Sequence, residues 1–445
     1  MANNKNYFSN GLAISVVIAN MIGTGVFTSL GFQLLDIDAA PAIIMLWLLG
    51  GLLAFCGALC YGELGAALPR SGGEYNFLSR IYHPAAGFVS GWVSITVGFA
   101  APTALVAMTA GLYVAAVFPS VPAQVIALGL VLAATIAHLM SRRASEGFQL
   151  LFTSFKVGLI LIFLVAAWFA VPSLQEIRWQ PQLNDVGMLT TAGAAVALIY
   201  VNYAYTGWNA ATYLAGELQE PRRSLPMILI VGTGVVTLLY VVLHIMFLSV
   251  APMDAIRGQE EVGYIVATHA FGETGAALVG ITLGVLLIST VSAMLVAGPR
   301  ALQAVGQDFR VLGVLARENR HGLPYIAIAL QGGVTAILIV SATFEAVLLF
   351  AGFVLGLNTL FAVCGVVVLR WRQPELERPF RVPWYPLPVI IYAGITLWAL
   401  IYTAQVRPVE VLFAAGLVGS GWLFYWLSRD RVAPDSEHSL NEGNS

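Results

Sequence analysis

From residue 12 to residue 427 the chain is a succession of apolar runs, each close to the roughly 20 residues that a helix needs to cross a hydrocarbon core. Gly, Pro and charge punctuation divides them into twelve segments, at 12–34, 41–67, 85–118, 122–140, 147–170, 188–214, 226–250, 275–298, 324–342, 346–369, 386–406 and 408–427, called segments 1 to 12 below. Runs of this length satisfy their own backbone bonds as helices, whereas barrel strands would be shorter and would alternate. The expected fold class is an all-α polytopic membrane protein with 12 transmembrane helices. Composition agrees, since 10% of the residues are charged where a soluble chain carries about 25%.

The basic residues orient the series. With the N-terminus inside, 17 Lys and Arg fall on the inner side and 3 (Arg178, Arg257 and Arg407) on the outer, the bias expected of an even number of spans. This places both termini in the cytoplasm of a cell-membrane protein, with 1–11 as a cytosolic tail and 428–445 as a disordered one. Segment 1 contains Asn20 and lacks a clear small-residue cleavage site, so it reads as a retained span. A net charge of -2 gives no basic field for nucleic acid. Cys56, Cys60 and Cys364 lie in apolar runs and form neither a disulfide framework nor a metal set. No cofactor is expected.

Two segments carry helix-breaking residues at mid-depth. Segment 1 reads Met21-Ile22-Gly23-Thr24-Gly25-Val26 and segment 6 reads Tyr203-Ala204-Tyr205-Thr206-Gly207-Trp208-Asn209. Close helix packing is one reading of such glycines. The other follows from their places, as first members of two consecutive five-helix groups, where interrupted helices point to a transporter site. An opened helix presents amides suited to a carboxylate and carbonyls suited to an ammonium. A zwitterionic α-amino acid fits both.

Lys156 lies inside segment 5, where a charged lysine at a helix centre costs on the order of 3 kcal/mol. It either faces a pathway or snorkels to the cytoplasmic interface. His138 and His244 show no ligand spacing, and Ser289, Thr290 and Ser292 on segment 8 read as hydroxyls that bond back to their own helix. Glu63 and Glu217, beside Arg70, Arg222 and Arg223, read either as gate-latching ion pairs or as solvated end charges. An intramembrane enzyme would need a nucleophile–base pair or a metal cluster at membrane depth, and no such spacing is present.

The run Gly23-Thr24-Gly25-Val26-Phe27, the stretches Tyr61-Gly62-Glu63-Leu64 and Pro69-Arg70-Ser71-Gly72-Gly73-Glu74-Tyr75, and Tyr205-Thr206-Gly207-Trp208-Asn209 with Glu220-Pro221-Arg222-Arg223 resemble the amino acid-polyamine-organocation transporters, most of all their L-type amino acid transporter branch. The resemblance implies a LeuT-type 5+5 inverted repeat, with residues 12–170 as repeat 1, residues 188–369 as repeat 2, and helices 11 and 12 (386–427) outside it. It implies that main-chain amides around Gly23, Thr24, Gly25 and Val26 hold the substrate carboxylate. Carbonyls at Met21, Ile22, Tyr203, Ala204 and Thr206 would hold its ammonium, with Gly207 at the break. Tyr203 would close over the substrate from outside, and Asn209 would support the opened sixth helix. Lys156 would stand in for a sodium ion, with Ser289 and Tyr240 near the same junction.

Departures are informative. Ala293 stands where the arginine/agmatine exchanger has a tryptophan, which argues against that substrate. Asp308-Phe309 replaces the usual Asp-Gly after segment 8, which puts that loop's gating role in question. The loop between segments 3 and 4 has no cysteine, so no covalent heavy subunit is expected. The resemblance, with Lys156 in the place of sodium and a pocket that as read contributes no acidic side chain, implies a sodium-independent permease for neutral L-amino acids, working by alternating access with exchange favoured. The alternatives are a proton-coupled amino acid or polyamine symporter and a substrate-sensing receptor on a transporter fold.

Overall fold

The computed structural model describes residues 9–70, 72–140, 146–213, 215, 218–320 and 322–428, without the side chains of 146–154 and 156. Most of both expected tails, Glu217 and the Lys156 side chain lie outside this set. The described chain is all-helical, with nine helical stretches long and apolar enough to cross a membrane. Three shorter apolar helices, Val157–Ala170, Ala192–Tyr205 and Tyr325–Ser341, fall within segments 5, 6 and 9.

Local signals start several of these helices. Ser9, Thr191 and Thr343 cap Asn10–Met21, Ala192–Tyr205 and Phe344–Arg372 with their hydroxyls. Proline opens Pro84–Val93, Pro221–Val250 and Pro408–Leu427, where its missing N–H costs nothing. Segment 8 departs most from expectation. Its helix runs as Val262–Asp308, bent at Gly272 and carried past Pro299. Hydropathy ended the segment at 298 because Arg300 and Asp308 follow, but the helix runs on through both residues. Segment 3 contains a π-turn at Ser94–Gly98.

Segment 2 (Ala40–Ala67) packs along segment 7, segment 3 along segment 8, and segment 4 along segment 9. Small residues permit the first contact: a Cβ at Gly51 would meet Thr237 at 2.3 Å, and one at Gly65 would meet Leu225 at 2.3 Å. A short helix, Glu74–Ile81, joins segments 2 and 3 and packs beneath segment 10.

Candidate functional site

Segment 1 is two helices, Asn10–Met21 and Gly25–Gln33. Between them Ile22 adopts φ -73°, ψ 86° and the Gly23 amide donates to the Met21 carbonyl at 2.8 Å, an inverse γ-turn. The second helix starts without a side-chain cap at Thr24, so its first amides, at Thr24, Gly25 and Val26, are left as a helix N-terminus with partial positive charge.

Segment 6 opens at Thr206. Ala192–Tyr205 ends there, Thr206 is extended at φ -57°, ψ 153°, Gly207 turns to φ 98°, and Ala210–Tyr213 resumes. The two breaks face each other. A Cβ on Gly25 would sit 2.8 Å from the Ala204 Cα, and one on Gly207 would sit 2.7 Å from the Asn20 carbonyl oxygen. Glycine is required at both places, by close approach at the first and also by positive φ at the second.

Tyr240 of segment 7 ties the breaks together, its hydroxyl lying 2.6 Å from the Met21 carbonyl and 3.0 Å from that of Ala204. Trp47, His244 and Tyr205 pack around it, with the His244 ring 3.7 Å from that of Trp47. Several carbonyls named from the sequence are thus engaged. That of Met21 accepts from Gly23 and Tyr240, and that of Tyr203 from the amide and hydroxyl of Thr206. An ammonium at Met21 must therefore displace Tyr240 or share its oxygen. Beside the first break lies a cavity of about 10 Å³ lined by Gly23, Thr24, Phe27, Thr109, Tyr113, Ile160, Leu283, Leu286 and Leu287. That is room for about one water, and no lining side chain is charged.

Other sequence-named residues resolve differently. Lys156 lies on Glu146–Ala170, which packs against segments 1, 7 and 8. Ser289 donates to Leu286 of its own helix at 2.6 Å. Ser292 instead lies 2.8 Å from Nε2 of His138, so that histidine is tied to segment 8 rather than solitary. Tyr203 is buried, with 6% exposure.

At the ends of segments 2, 8 and 10 the charged residues pair differently from what their sequence neighbours suggest, and Glu74, quoted from the sequence only within a motif, gains a role of its own. Glu63 pairs with Arg370 at 2.6 and 2.8 Å and accepts from the Val382 amide at 2.7 Å, not with Arg70. Arg70 instead reaches Asp308 at 2.7 Å, and Tyr75 donates to the same carboxylate at 2.9 Å. The altered Asp308-Phe309 thus still latches segment 8 to the linker after segment 2. Glu74, 5% exposed, accepts from Tyr61 at 2.6 Å, Asn209 at 2.9 Å and Thr359 at 3.3 Å, and from Asn358. Burial pushes its carboxyl above the ordinary glutamate range, opposed by the hydrogen bonds from Tyr61, Asn358, Thr359 and Asn209. The available signal was an acidic residue directly after Gly72-Gly73 on a predominantly basic inner face. At the opposite end of the molecule from Glu63, Gly31 lies so close to the 257–261 loop that a Cβ would meet the Gln259 carbonyl, and the Gly258 amide donates to Gly31 at 2.8 Å.

The family model described as amino acid permease matches residues 12–426. The b(0,+)-type amino acid transporter 1 of Mus musculus is 26% identical over 429 residues, covering 93% of this chain and 86% of the relative. The Large neutral amino acids transporter small subunit 2 of Oryctolagus cuniculus is 26% identical over 436 residues, covering 93% and 79%. The Asc-type amino acid transporter 1 of Mus musculus is 26% identical over 388 residues, covering 83% and 71%. The chain belongs to the amino acid permease family and is an integral membrane transporter rather than an enzyme.

Proposed function

We propose that this permease exchanges neutral L-amino acids across the cell membrane by alternating access, without sodium, with both termini in the cytoplasm. The carrying observation is the apposition of the two breaks, Gly25 against Ala204 and Gly207 against Asn20, with uncapped amides at Thr24–Val26 on one side; to these we assign the carboxylate, and to the carbonyls of Ile22 and Thr206, with that of Ala204 shared with Tyr240, the ammonium. That arrangement offers a carboxylate and an ammonium complementary partners without any charged side chain. Amides and carbonyls grip what all amino acids share, and the substrate side chain enters beside Gly23, where the uncharged cavity, with room for about one water, must widen to take it. Hence neutral substrates are favoured over cationic ones or polyamines.

The architecture supports twelve spans in a 5+5 inverted repeat. Segments 1 and 6 meet at their breaks, and 2 with 7, 3 with 8 and 4 with 9 are packed pairs. Each pair is separated by five in chain order, as elements near a pseudo-two-fold axis would be. Lys156 supplies the fixed cation in place of sodium, holding segment 5 against the opened first helix near Ser289 and Tyr240. One relative is named a small subunit. For this chain a covalent heavy subunit is not proposed, because the loop 118–122 carries no cysteine.

The deciding experiment is counterflow in proteoliposomes preloaded with a panel of amino acids, run in choline and in sodium buffer. Equal uptake in both buffers, dependent on internal neutral amino acid, is expected. Lys156→Ala should insert normally and lose most exchange. Sodium-dependent uptake, or full exchange by Lys156→Ala, overturns the assignment of the lysine.

A further inference from the structure

We infer that Glu74 is a positioning residue whose protonation sets how readily the cytosolic side of the pathway opens. This rests on the exchange function proposed above. Glu74 joins three spans: Tyr61 belongs to segment 2, Asn358 and Thr359 to segment 10, and Asn209 is the last residue of the break in segment 6. Releasing Asn209 frees the short helix Ala210–Tyr213 that continues segment 6 toward the cytosol. The joint therefore lies directly below the substrate break.

The chemistry of this joint differs from that of its neighbour. Glu63 is neutralised by Arg370, whereas Glu74 is held by hydroxyl and amide donors and no cation pairs with it among the described residues. The titratable groups facing it are phenols: Tyr61 on segment 2, Tyr213 beyond the break of segment 6 and Tyr392 on segment 11. The Arg70–Asp308 pair stands apart, bonded through Tyr75. A buried carboxylate without a counter-ion pays desolvation that its donors offset only in part. Wetting the joint returns that cost. Ionised Glu74 therefore favours separation, and neutral Glu74 favours the sealed arrangement.

The sign follows from linkage. Glu74 has a raised pKa in the sealed joint and an ordinary one, about 4.3, once wetted. The sealed state thus gains stability as pH falls through the raised value and loses it as pH rises again. The working window lies above the ordinary glutamate range. The proton comes from cytosolic water and returns to it, so no charge crosses the membrane and the exchange stoichiometry is untouched.

The test is L-alanine counterflow in oriented proteoliposomes, with the pH of the cytosolic face varied. In wild type the apparent KM at that face should rise by about fivefold or more as the face is acidified, because the competent fraction falls. Glu74→Gln should hold the acid value at every pH and lose the pH profile. Tyr61→Phe, which deletes one donor to the anion, should move the wild-type midpoint up by about one pH unit. Amide hydrogen exchange of residues 206–213, corrected for intrinsic rates, supplies a readout that needs no substrate. It should slow on acidification in wild type and stay slow in Glu74→Gln. Should wild type carry no L-alanine, the transport reading fails while the exchange data still judge the joint. If Glu74→Gln does not fold, Tyr61→Phe and Asn358→Ala decide. Flat pH profiles in wild type, or a Glu74→Gln profile identical to wild type, overturn the proposal, as does an unmoved midpoint in Tyr61→Phe.

Discussion

The two broken spans look alike in sequence, a glycine and a hydroxyl at mid-depth, yet they are broken in different ways. Segment 1 opens through a γ-turn at Ile22 and restarts as a nine-residue helix, Gly25–Gln33. Segment 6 passes from an extended Thr206 to Gly207 at φ 98° and restarts with only Ala210–Tyr213. The first break leaves a well-formed helix N-terminus, suited to hold an anion. The second is a backbone reversal whose following helix is too short to matter as a dipole, and its resource is the carbonyls before it. In the proposed site, the two similar motifs therefore take different parts, the first offering amides to the carboxylate and the second carbonyls to the ammonium.

The largest expected effect comes from Gly207→Ala. A side chain there must take a positive φ, costing about 1–2 kcal/mol, and place its Cβ 2.7 Å from the Asn20 backbone oxygen, which adds about 1–3 kcal/mol of overpacking. A fall in melting temperature of the detergent-purified protein and complete loss of counterflow are expected. Wild-type melting would show that segment 6 can reshape freely and that the break is not fixed by this glycine.

Gly25→Ala tests the other side of the contact. Its Cβ meets the Ala204 Cα at 2.8 Å, but its backbone is helical, so the overpacking cost of about 1–3 kcal/mol stands alone. The protein should insert and remain monodisperse while exchange falls more than tenfold, since the two breaks are pushed apart. Equal damage from Gly25→Ala and Gly207→Ala would erase the distinction between them.

Substrate derivatives separate the two poles chemically. The methyl ester of a transported amino acid lacks the anion that the Thr24–Val26 amides are assigned, and the N-acetyl derivative lacks the cation assigned to the carbonyls. Each loses charge-assisted hydrogen bonds of about 1.5–3 kcal/mol, so both should compete at least tenfold more weakly, N-acetylation being worse. Competition by the ester equal to that of the free amino acid would return the amides of segment 1 to a structural role.

How much of this was legible depends on the range of the signal. The breaks were readable because glycine beside a hydroxyl in an apolar run is a local statement about backbone, and both open within a residue or two of the expected places. The extent of the helix in segment 8 was not readable, because hydropathy registers Arg300 and Asp308 as a break in the apolar run while the helix itself continues to Asp308. Glu74 was invisible as a joint because its partners, Tyr61, Asn209, Asn358 and Thr359, are spread over three spans and share no spacing. The same holds for Arg70 with Asp308, 238 positions apart. Pairings of this kind are created by topology, and a single sequence records only their separate ends.

Gly23 sharpens the comparison by being the glycine that need not be one. Its φ lies outside the left-handed region, and an added Cβ would find nothing nearer than the Met21 carbonyl oxygen at 3.9 Å. Alanine should therefore change stability by no more than about 0.5 kcal/mol. Yet Gly23 lines the cavity of about 10 Å³ beside the first break, and a methyl group there takes up space assigned to the substrate side chain. One methylene of fit is worth about 1–3 kcal/mol in an apolar pocket. Gly23→Ala should thus melt like wild type and exchange glycine or alanine normally, while the KM for bulkier neutral amino acids rises roughly tenfold. A uniform loss across all substrates would mean that the methyl disturbs the amides of the break itself. An unchanged substrate profile would place the side-chain pocket elsewhere than beside segment 1.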